Sequence, residues 1–67
     1  MKNKVRELRK NQKLTQDELA ALIGISRQAI NAIEKEKFDP SLPTAFKLSE
    51  LFKISIEELF IFKSLYY

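Results

Sequence analysis

Gly24 is the only glycine in 67 residues, and it directly follows an apolar face formed by Leu19, Ala20 and Ile23, whose spacings share one side of a helix. A helix ending there needs a left-handed residue, a conformation that any side chain would penalise. The helix should begin at about Gln16, because Thr15 can cap it while Glu18 reaches back in a Thr-x-x-Glu capping box. Ala20 is small where two crossing helices need close approach. Beyond the turn, Ser26 is a good N-cap for a second helix. Ile30 and Ile33 give that helix its inward stripe, and Arg27, Gln28 and Asn31 lie on its other faces. The local expectation is two short helices joined by a tight turn, a helix-turn-helix.

The flanking sequence reads as helix nearly throughout. Val5 and Leu8 supply the inner edge of a preceding helix, with Leu14 closing the loop after it. Lys37-Phe38-Asp39-Pro40-Ser41 is a loop by its proline and turn formers, and Ser41 can cap a fourth helix carrying Leu42, Ala45, Leu48, Leu51 and Phe52 inward. Pro43 is tolerable there because first-turn amides lack intrahelical partners. Ser55 and Glu58 form a second capping box, opening a short fifth helix with Ile56, Leu59 and Phe60 apolar. The expected fold is all-α, a compact five-helix bundle over one domain, residues 1–67, without linker, repeat or low-complexity tract. The segment from Phe60 to Tyr67 is rich in aromatic and β-branched residues and favours an extended conformation. It suits a strand paired with residues 1–4, with a continued helix as the alternative.

Composition removes several function classes. Neither cysteine nor histidine occurs, which excludes disulfides, thiol nucleophiles, Ser-His triads and zinc sites built from those ligands. Glu57 and Glu58 are adjacent and diverge on a helix, so they make a poor acid–base pair and an enzyme is not expected. No apolar run approaches the roughly 20 residues needed to span a bilayer, and the charged amino terminus lacks a following apolar region, so a soluble, cytoplasmic protein is expected. A chain this short buries a modest share of its surface, and subunit association would add stability. The net charge is +3, but residues 1–13 hold six Lys and Arg against Glu7 alone, while the rest hold six against eight Asp and Glu. A lysine-rich stretch by itself is ordinarily a solvated helix face.

The segments Thr15-Gln16, Glu18-Leu19-Ala20, Gly24-Ile25-Ser26-Arg27-Gln28, Ile30 and Ile33-Glu34-Lys35 resemble the helix-turn-helix of the Cro/cI-type (XRE) family of prokaryotic and phage DNA-binding regulators. The resemblance resumes at Pro40-Ser41-Leu42 and at Ser55-Ile56-Glu57-Glu58-Leu59-Phe60, and covers roughly residues 4 to 60. Glu36 departs from it, standing where the family commonly has glycine or asparagine. The resemblance implies a lambda repressor-like bundle whose second motif helix docks its amino-terminal end into a DNA major groove. It assigns Gln28 and Asn31 to base edges and Arg27 to a base or a phosphate. Arginine can bridge guanine O6 and N7, and glutamine or asparagine can bridge adenine N6 and N7. Gln16 is then a phosphate contact aided by the helix dipole, with Ser26, Lys35 and Lys37 as further backbone contacts. Some cations of the first helix join the phosphate field. Arg9 and Glu34 fall where the family pairs charges between the first and recognition helices.

What the resemblance implies is a sequence-specific regulator of transcription that binds double-stranded DNA without a cofactor, metal or evident small-molecule ligand. Family habit makes it a repressor acting as a homodimer on a palindromic operator. The carboxyl-terminal apolar segment, residues 61–67 with Phe60, is the candidate dimer interface through Phe60, Phe62, Leu65 and Tyr66; otherwise it covers its own bundle. The runner-up is an antitoxin-like protein-interaction module in which DNA binding is secondary.

Overall fold

Five helices and two short strands follow one another as β1 (Lys2–Asn3), α1 (Val5–Asn11), α2 (Gln16–Ile23), α3 (Arg27–Glu34), α4 (Leu42–Phe52), α5 (Ile56–Leu59) and β2 (Phe60–Ile61) in the computed structural model, which describes residues 1–63. Four of the helices start on a hydroxyl that accepts a first-turn N–H. Thr15 Oγ1 accepts from Glu18 N–H at 3.0 Å while Glu18 Oε1 accepts from Thr15 N–H at 2.8 Å. Ser55 and Glu58 repeat that reciprocal box at α5. Ser26 Oγ caps α3 through Ala29 N–H, and Ser41 Oγ caps α4 through Thr44 N–H. Each cap satisfies a donor that the helix itself cannot.

The ends of the four longer helices share a second device. Lys13, Gly24, Glu36 and Lys53 all take positive φ, at 58°, 87°, 62° and 57°. Reversal at Glu36 lets its N–H donate to Ile33 O and lets Lys37 N–H donate to Ala32 O, both at 3.0 Å. That is a Schellman end for α3, and the departure from glycine leaves its geometry intact. Lys13 and Lys53 end α1 and α4 in the same way, with the following N–H of Leu14 and Ile54 donating to Arg9 O and Ser49 O.

α2 packs against α3 with Ala20 buried, and the core that they share with the other helices centres on Val5, Leu19, Ile30, Ile33, Leu48 and Leu59, all fully buried. Ala45 and Phe52 of α4 complete it from one side. Leu42 does not join them as expected: it is 65% exposed. It is the first residue of α4, and a side chain in that position leans toward the helix N-terminus, past the edge of the core.

The strands pair antiparallel, Lys2 opposite Ile61 and Asn3 opposite Phe60, so the extended alternative for residues 60–61 holds over a continued helix. Lys4 N–H extends the pairing to Leu59 O at 3.0 Å. Asn3 fastens this sheet to α3: its Nδ2 donates to Ile33 O at 2.9 Å while its Oδ1 accepts from Val5 N–H at 3.1 Å. Alternation in β2 turns Phe60 inward, and Phe60 is buried among the core residues. Its assignment to a dimer interface is therefore corrected, because the ring is already covered by its own chain. No helix among the described residues is long and apolar enough to cross a membrane.

Candidate nucleic-acid interface

The capped start of α3 presents Arg27 and Gln28 as exposed side chains, and neither side chain forms a hydrogen bond with another group among the described residues. Ser26 Oγ accepts from Ala29 N–H at 3.1 Å, which leaves its hydroxyl proton free to donate outward. One turn along, Asn31 is half-buried at the mouth of a cleft of about 270 Å³ lined by Arg6, Arg9, Gln16, Asn31, Glu34 and Lys35. This cleft lies where α1, α2 and the outer side of α3 meet.

Its floor is an ion pair. Arg9 donates from Nε to Glu34 Oε2 at 2.7 Å and from Nη2 to Oε1 at 3.1 Å, and from Nη1 to Leu14 O at 2.8 Å. Hydrogen bonding to Glu34 raises the Arg9 pKa above its ordinary value against the opposing effect of burial, and the carboxylate charge adds to the rise. Glu34 sits at the carboxyl end of α3, where the helix dipole disfavours a negative charge, and the guanidinium compensates it. Gln16, the first residue of α2, reaches across with Nε2 to donate to both Glu34 Oε1 and Asn31 Oδ1, each at 3.2 Å.

The structure thus brings Arg9, Glu34, Gln16 and Asn31 into one network and leaves Arg27 and Gln28 free beside it. Lys35 stands on the cleft rim and Lys37 lies exposed just beyond the end of α3. Arg6 also lines the cleft, a cation that the sequence reading did not single out. Its spacing of three from Arg9 on a helix was the available signal. At the opposite end of the chain Phe62 is 73% exposed, whereas Leu65 and Tyr66 lie outside the described residues.

Comparison with known proteins agrees with this geometry. A family model described as helix-turn-helix matches residues 5–59. An uncharacterized HTH-type transcriptional regulator of Methanocaldococcus jannaschii is 51% identical over 63 residues, spanning 94% of this chain and 96% of that protein. The transcriptional repressor RstR of the cryptic phage CTXphi, from Vibrio cholerae, is 37% identical over 57 residues, which cover 85% of this chain and 51% of that protein. Among solved structures, the restriction-modification controller protein C.AhdI of Aeromonas hydrophila superposes with a TM-score of 0.75 at 35% identity, covering 85% of this chain and 86% of that one.

Proposed function

This chain belongs to the helix-turn-helix transcriptional regulators, non-enzymatic proteins that bind double-stranded DNA, and on that premise we propose that it is a repressor occupying a palindromic operator as a homodimer. The observation that carries this reading is the amino-terminal end of α3, where Arg27 and Gln28 are exposed and their side chains form no hydrogen bond among the described residues. Docked in a major groove, Gln28 reads adenine N6 and N7, and Arg27 reads guanine or holds the adjacent phosphate. The Ser26 hydroxyl, the first-turn N–H of Gln16, Lys35 and Lys37 take the flanking phosphates and fix the register.

Repression follows from occupancy, since binding over a promoter excludes other proteins from it. The similarity to a relative named a transcriptional repressor supports that sign. One helix-turn-helix reads few base pairs, and two related by a twofold axis read successive major grooves on one face of the duplex. Exposed Met1, Ile61 and Phe62 form the apolar surface through which a second copy joins. Selection of bound sites from a random duplex pool tests the reading. It should yield an inverted repeat with half-site centres about 10 base pairs, or a multiple of that, apart; an unrepeated half-site would remove the dimer, and no enrichment would remove sequence-specific binding.

A further inference from the structure

The polarity of one hydrogen-bond chain fixes which chemical group Asn31 offers to a base. Arg9 carries donors only, and it gives them to both oxygens of Glu34. Glu34 carries acceptors only, so the part of Gln16 that faces Oε1 has to be its amino nitrogen. The second N–H of that nitrogen goes to Asn31, and what it meets there has to be the carbonyl Oδ1. Asn31 therefore has its acceptor turned into the cleft. Its Nδ2 donates to no group among the described residues, and no buried side-chain polar atom there lacks a partner, so Nδ2 faces solvent with both protons unspent.

From this geometry we propose that Gln16 is a positioning residue that makes Asn31 a donor-only reader, selecting guanine over adenine at the base it meets. The proposal rests on the reading of α3 as the base-reading helix. In the major groove guanine offers two acceptors, N7 and O6, whereas adenine offers the acceptor N7 beside the donor N6. An unconstrained asparagine favours adenine because it can match both groups at once. With Oδ1 held toward Gln16, adenine N6 would confront Nδ2, donor against donor. The preference expected from residue type alone is thereby reversed. The same accounting of donors leaves the Gln16 carboxamide without a free N–H for phosphate, so a phosphate contact at Gln16 falls to its backbone N–H.

Binding-site selection with the full chain, repeated for Asn31→Ala, Gln16→Met and Gln16→Lys, tests the proposal, with thermal unfolding of each variant run alongside. The position that loses its preference in Asn31→Ala identifies the base that Asn31 reads. The parent should select guanine there about tenfold over adenine, the size of effect that one good bidentate contact gives. Gln16→Met, which is similar in shape but without donors, should bring the two bases within about twofold. Gln16→Lys, which keeps donors toward Glu34 and Asn31, should restore guanine even as its added charge strengthens binding to all sequences. Adenine at that position in the parent overturns the proposal whether or not Gln16→Met folds, and so does an unchanged preference in a folded Gln16→Met. An operator whose every position survives Asn31→Ala overturns it too, while leaving recognition through Gln28 standing. A pool with no enriched sequence for the parent removes the DNA-reading premise itself.

Discussion

Arg9 grips Glu34 through two parallel hydrogen bonds of 2.7 and 3.1 Å, with the two side chains 10% and 3% exposed. The pair ties α1 to the carboxyl end of α3, and removing either member strands the other's charge in a nearly buried site. Arg9→Ala and Glu34→Ala should each destabilise by about 3–5 kcal/mol, whereas replacing both by apolar residues of similar volume should cost less than either single change. The raised Arg9 pKa is a stabilising contribution held at all pH below the arginine range and lost only as pH rises through the folded value, so the arginine adds no pH dependence near neutrality. Urea unfolding checks the series, and a Glu34→Ala variant as stable as the parent would contradict it.

Glu36, Lys13 and Lys53 hold left-handed backbones that cost a side-chain-bearing residue about 1–2 kcal/mol each. Glycine relieves that strain but raises the entropy of the unfolded chain, which returns about 0.4–1 kcal/mol. Glu36→Gly should therefore be net stabilising, by about 0.5–1 kcal/mol. The same substitution at exposed helical Glu50 should destabilise by a similar amount. Thermal midpoints of the two variants should move in opposite directions.

Phe60 and Phe62 are two residues apart and should behave differently. Phe60 is in the core, so Phe60→Ala should cost about 3–5 kcal/mol of folding stability. Phe62 is 73% exposed, and Phe62→Ala should leave the unfolding of the separate subunit nearly unchanged while weakening self-association. Sedimentation at micromolar concentration distinguishes the two. A Phe62→Ala chain that associates like the parent would place the dimer contact elsewhere.

The parts of the fold legible in the sequence are those governed by neighbours three or four residues apart. Thr15, Ser26, Ser41 and Ser55 cap their helices because a hydroxyl meets an N–H three residues on, and Gly24 ends α2 because a left-handed turn there suits glycine. Leu42 lies outside the core although its spacing predicts an inward side chain, because helical periodicity gives a face but not where along the helix the core begins. Phe60 is buried in its own chain, a place that apolar composition does not distinguish from burial against another copy. The Gln16–Asn31 contact joins residues 15 apart in sequence and depends on how α2 crosses α3. Neither the spacing nor the residue types show that Gln16 spends both its donors inward.

Lys37 and Gln28 should separate affinity from specificity. Lys37 is exposed beyond the end of α3, so Lys37→Ala should weaken binding to operator and random DNA alike and make the salt slope shallower by about one unit. Titrations at several salt concentrations measure the slope, and an effect confined to the operator would reassign Lys37 to base recognition.

The most direct test of recognition by α3 is a paired titration of the parent chain and Gln28→Ala against the selected operator and a random duplex at one salt concentration. Gln28→Ala should lose about 5- to 150-fold on the operator, the equivalent of about 1–3 kcal/mol for one base contact, with binding to random DNA unchanged. Equal losses on both duplexes would mean that Gln28 serves the backbone, and would contradict base reading at the amino-terminal end of α3.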